Sequence, residues 1–141
     1  MKKILLAIVA LFVSVMFVNC SESLDSLVNR AKEKLPIEID EGQTMTDIVI
    51  KKDFLQVEFE YDEHEYRLDD EMFDMVLELY GDEFKGMFTE MMADENNGRK
   101  LFEKCVEEGL GLRFIMEGKK SKRNLTLVEL SAKELEEELD K

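Results

Sequence analysis

The sequence predicts an α+β domain, an antiparallel four-stranded sheet of two hairpins with helices packed on one face, in the order α-β-β-α(α)-α-β-β-α. Three observations carry it. Leu55, Val57, Phe59 and Tyr61 alternate strictly with Gln56, Glu58 and Glu60, which is a strand with one apolar and one acidic face. Leu112, Phe114 and Met116 alternate with Arg113 and Glu117 further on. Between and around these segments the apolar residues recur at the helical period, so helices and strands fall in separate runs.

The elements follow in chain order. Leu24, Leu27, Val28, Ala31 and Leu35 form a helical stripe, with Ser21 or Ser23 as its cap and Pro36 stopping it. Asp40-Glu41-Gly42-Gln43 is a turn, and Met45 to Ile50 has the β-branched content of a strand. Lys51-Lys52-Asp53 reverses the chain into the strand at 55–61. Phe73, Val76, Leu77 and Tyr80, then Phe84, Met87, Phe88 and Met91, make one long stripe with Gly81 and Gly86 inside it, read as one bent helix or two short ones. Ala93 to Gly98 reads as a polar loop. Leu101, Phe102, Cys105 and Val106 form the next helical face, closed by Gly109. Gly118 to Arg123 is a hairpin loop between Leu110–Glu117 and its partner strand, Asn124–Leu130. Ser131 and Glu134 have the spacing of a capping box before a last helix carrying Leu135 and Leu139.

The N-terminus is organised differently. Lys2 and Lys3 precede an uncharged apolar run, Ile4 to Val18, which is the pattern of a secretory leader and is closed by Asn19 short of the length a membrane span needs. Cys20 directly after the run has the place of the lipid-attachment cysteine of bacterial lipoproteins. Phe17-Val18-Asn19 departs from the small residues normal before that cysteine, and a cut after Cys20 by the ordinary signal peptidase is the competing reading. The chain thus divides into a leader, residues 1–20, and a single α+β domain, residues 21–141, expected in the periplasm or on the outer membrane as a lipoprotein. The first helix begins almost at once after Cys20, so a lipid there leaves very little linker.

Charge excludes some partners. Loss of Lys2 and Lys3 with the leader moves the formal charge from −14 to −16. Such a chain repels nucleic acid and anionic lipid, so membrane association is expected only through the leader or a lipid on Cys20. Against this background Lys119, Lys120, Lys122 and Arg123 form the one strongly basic segment. They are candidates for a partner surface, although solubilising a hairpin tip explains them equally well. Met75 and Met92 lie outside the main apolar stripe of a Met-rich region and are the second candidate surface, because thioethers make adaptable contacts.

No catalytic, cofactor or metal constellation emerges. His64, flanked by Asp62, Glu63 and Glu65, is the single histidine, and Ser motifs of the nucleophile-elbow kind are missing. Asp94-Glu95-Asn96-Asn97-Gly98 lacks the alternate oxygen ligands of a calcium loop. Cys105, on an apolar helix face, reads as a small core residue. Two functions remain as expectations: a non-enzymatic binding or assembly module of the cell envelope, contacting an envelope protein or small ligand, and, as the alternative, a hydrolase using carboxylates near His64.

The layout from Leu35 to Leu135 resembles small exported proteins of Bacteroides-type bacteria. The matching segments are Leu35-Pro36 leading into Ile37-Glu38-Ile39-Asp40-Glu41-Gly42, the helical middle, and the close from Leu127 to Leu135. The resemblance implies an envelope protein and no particular activity.

Overall fold

Ser23 starts the first helix, α1 (Leu24–Lys32), by accepting a hydrogen bond from the Ser26 N–H at 3.2 Å, and Leu24, Leu27, Val28 and Ala31 are its buried stripe. The computed structural model describes residues 22–40, 43–62 and 70–141, with the side chains of 39–40, 70–80 and 84 outside that set. Strands β1 (Ile37–Asp40), β2 (Gln43–Ile50) and β3 (Phe54–Tyr61) form a meander. Helices α2 (Asp70–Asp94) and α3 (Asn96–Glu107) carry the chain to β4 (Gly111–Gly118), β5 (Asn124–Leu130) and α4 (Ala132–Leu139).

Among the described residues this is an α+β fold with a five-stranded mixed sheet in the order β1-β2-β3-β4-β5 and four helices. Two details of the expected sheet are corrected. A fifth strand, β1, pairs antiparallel with β2 through Ile37↔Met45 and Glu38↔Thr44. And β3 pairs with β4 in parallel, from Phe54↔Gly111 to Tyr61↔Gly118. The physical reason is the crossover. A chain that leaves β3 at one end of the sheet and returns through helices re-enters at the other end, so the new strand runs the same way.

The helical middle also differs from its expected form. The stripe through Gly81 and Gly86 is one continuous helix of 25 residues. The expected loop from Ala93 to Gly98 shrinks to Glu95, since Asn96, Asn97 and Gly98 already belong to α3. The two helices meet so closely that a β-carbon on Gly98 would lie 2.2 Å from the Met92 carbonyl oxygen. Gly109 ends α3 in the left-handed region, φ 71°, as expected.

One face of the sheet is the core. Leu55, Val57 and Phe59 of β3 and Leu112, Phe114 and Met116 of β4 are buried with Phe88 of α2, Phe102 of α3 and Leu135 of α4 in a single apolar cluster. The Phe88 ring meets Phe114 edge-on at 4.7 Å between centroids, and Phe59 lies 5.5 Å from Phe114 on its other side. The opposite face carries Glu58, Glu60, Arg113, Glu117 and Glu129, as the alternation requires.

The last helix is fixed by its cap. Ser131 Oγ accepts from the Glu134 N–H at 3.1 Å, and the Glu134 carboxylate accepts from the Ser131 N–H at 3.3 Å, a complete capping box. Ser131→Ala should therefore lower the unfolding free energy by about 1 kcal/mol in a urea titration. An unchanged midpoint would show that Leu135 burial alone holds α4.

Candidate functional site

The β4–β5 turn brings four of the sequence candidates together. The Gly118 N–H donates to the Arg123 carbonyl at 3.0 Å and the Lys122 N–H to the Gly118 carbonyl at 2.9 Å, closing a tight loop. The Lys119 N–H donates to the Tyr61 carbonyl at 2.9 Å, which fastens the loop to the end of β3. Lys119, Lys120, Lys122 and Arg123 are all exposed on this tip. Lys122 has φ 59°, in the left-handed region where a side chain costs roughly 1–2 kcal/mol and glycine costs nothing. A positive charge is thus held where a neutral glycine would fit the backbone better.

The methionine candidates separate. Met92 is fully buried and belongs to the core, so it is not part of an exposed partner surface. Met75 lies in α2, and its side chain is outside the described residues, as are His64 and Cys20 altogether.

A second feature is an open groove of about 540 Å³ between α2 and α4, lined by Asp82, Lys85, Thr89, Glu90, Glu137 and Lys141. Its lining is predominantly acidic, and both of its lysines meet carboxylates. Lys85 pairs with Glu134 at 2.7 Å and Lys141 with Glu138 at 3.0 Å. The Lys85 ammonium, hydrogen-bonded to Glu134, holds that carboxyl below its ordinary value, with the Ser131 cap contributing in the same direction. The Thr89 hydroxyl donates to the Lys85 carbonyl at 2.7 Å.

On the sheet face opposite the core Arg113 is held from three sides. Its guanidinium lies 4.0 Å from the Phe54 ring centroid, donates to Glu129 at 2.7 Å from Nε, and reaches Gln56 Oε1 at 3.4 Å. Sequence reasoning did not find this arrangement or the Lys85–Glu134 pair, because both join residues distant in the chain. Among the described residues no group of three or more His, Cys, Asp or Glu converges to hold a metal ion, and no helix is long and apolar enough to cross a membrane.

Cys105 has no exposed surface, and burial pushes its thiol up from 9.0 to about 12. It is therefore the neutral, inert core thiol that its position predicts. Iodoacetamide at pH 8 should leave Cys105 unmodified in the folded chain and label it on denaturation, and rapid labelling of the folded chain would contradict this. With the folded value raised, the thiol's contribution to stability is complete below pH 9.0 and is lost as pH rises towards about 12.

No family model matches the chain and no curated protein matches it. Its backbone is similar to the crystal structure of a "putative secreted protein" from Pseudomonas aeruginosa, with a TM-score of 0.57 and 13% identity over 79% of this chain and 88% of that one. It is also similar to the pilotin from the Vibrio vulnificus type 2 secretion system, with a TM-score of 0.49 and 11% identity over 77% of this chain and 84% of that one. The first likeness is one of fold. It sets this five-stranded mixed sheet and its helices beside a protein described as secreted.

Proposed function

We propose that this chain is an exported, non-enzymatic binding module of the cell envelope, held at a membrane by a lipid on Cys20 and contacting an anionic partner through the β4–β5 tip. The observation that carries the binding role is the tip itself. In a chain of net charge −14, Lys119, Lys120, Lys122 and Arg123 share one exposed turn, and Lys122 sits in a conformation that favours glycine. Clustered cations opposite an anionic surface raise the encounter rate and fix orientation more than they raise affinity.

The leader supports export, through Lys2, Lys3 and the apolar run to Val18. The place of Cys20 directly after the apolar run supports the lipid, and Cys105, a free thiol sealed in the core, offers it no disulfide partner.

Copurification from the native envelope with the unaltered chain, Lys122→Gly and Lys119→Glu/Lys122→Glu tests the binding role. Lys122→Gly should raise stability by about 1 kcal/mol, since it relieves the left-handed side chain, while weakening partner recovery. The double charge reversal should abolish recovery in a folded chain. Equal recovery with all three chains would overturn the proposal.

A further inference from the structure

The first described residue is not a loose end. Glu22 accepts three times: its carboxylate takes the Arg30 guanidinium at 2.7 Å and the Ser26 hydroxyl at 3.2 Å, and its backbone carbonyl takes the Lys104 ammonium from α3. Lys104 lies in the last turn of α3, whose end leads through Leu110 directly into Gly111. That is the end of the sheet where β2 turns into β3, because Gly111 pairs with Phe54 and donates to the Asp53 carbonyl at 2.8 Å. The exposed Lys51 and Lys52 occupy the same turn. The basic tip is at the other end, beyond Tyr61↔Gly118. At about 3.3 Å per residue the two ends of β4 stand roughly 23 Å apart.

Resting on the lipid-anchored reading above, we infer that the domain stands end-on at the bilayer, with the β2–β3 turn against the headgroups and the 118–123 tip held away from its own membrane. The lengths decide this. Glu22 lies two positions after Cys20, and two steps of extended chain reach at most about 7 Å. A bilayer of about 40–45 Å with a hydrocarbon core of about 30 Å has a headgroup layer of roughly 6 Å on each side. A lipid-bound cysteine at the base of that layer thus brings Glu22 to its outer surface with no slack, and the Arg30 and Lys104 contacts pass that position on to the folded body. The tip cations then face a partner in the aqueous space, and the lipids of the anchoring leaflet are out of their reach.

The test uses the chain isolated from bacterial membranes, its acylation read by intact mass. Variants Lys52→Cys and Lys119→Cys, each with one added exposed cysteine, are labelled with an environment-sensitive fluorophore, the acylated Cys20 and the buried Cys105 staying unlabelled. They are reconstituted in phosphatidylethanolamine–phosphatidylglycerol vesicles containing a headgroup spin-label quencher. Quenching should be several-fold stronger at position 52 than at 119, and Lys104→Ala should narrow that ratio. Equal or reversed quenching in an acylated chain would overturn the orientation alone. A mass without lipid would overturn the anchored reading and the orientation together.

Discussion

Phe114→Ala is expected to lower the unfolding free energy by about 4 kcal/mol, in the range for truncating a fully buried phenylalanine. Phe114 stands on the central parallel pair of the sheet, opposite Val57, and its ring meets both Phe88 of α2 and Phe59 of β3. Its removal opens a cavity at the junction between sheet and helices, and none of the rigid elements around it closes over the space. For a domain of this size the loss corresponds to a fall in the melting midpoint of roughly 10–20 °C. Thermal unfolding followed by circular dichroism measures it directly. A shift of only a few degrees would mean that Phe88 does not pack on the sheet.

Gly111→Ala should also destabilise strongly, by the opposite mechanism. A β-carbon there would lie 2.2 Å from the Leu130 carbonyl oxygen and 2.9 Å from the Phe54 ring. The ring can turn, but the Leu130 carbonyl is backbone in β5, next to the Leu112↔Leu130 pair. Inserting volume at such a point costs about 1–3 kcal/mol, and the upper end is expected because the obstructing atom is main chain. The same replacement at Gly86, whose added β-carbon meets nothing within 4 Å, should instead stabilise α2 by roughly 1 kcal/mol through helix propensity. Parallel urea titrations of the two variants give the comparison, and similar midpoints would contradict the close approach at Gly111.

Much of this architecture is legible in the chain because burial leaves a periodic imprint. Leu55 to Tyr61, Leu112 to Met116 and the Ser131–Glu134 box carry enough local signal to place β3, β4 and α4. Strand direction leaves no such imprint. Alternation says which face Val57 and Phe114 share, and the same pattern serves a parallel or an antiparallel neighbour. The short β1 escaped notice because Ile37 to Asp40 runs straight into turn residues, and its pairing with β2 is interrupted by a register shift between Glu38 and Asp40. The polar composition of Asp94 to Gly98 suggested a loop, whereas Gly98 is there to let α3 approach the Met92 carbonyl.

The candidate site divides in the same way. The basic tip is visible as a local contrast in charge, and the turn that presents it follows from the two strands on either side. The left-handed conformation of Lys122 is a consequence of closing the loop between Gly118 and Arg123, which no residue type announces. Met92 reads as exposed when the helix is taken in isolation, yet it is core because α3 packs back against that side of α2. Glu22, Arg30 and Lys104 are unremarkable charges in the sequence, and only the fold brings them into one contact.

Export and attachment through Cys20 are the ground of the functional reading, and intact-mass analysis of the chain from the membrane fraction of a bacterial host tests them most directly. The predicted species begins at Cys20 and carries a diacylglycerol, with or without a further acyl chain. A full-length chain beginning at Met1, or a soluble chain beginning at Ser21 without lipid, would contradict the account.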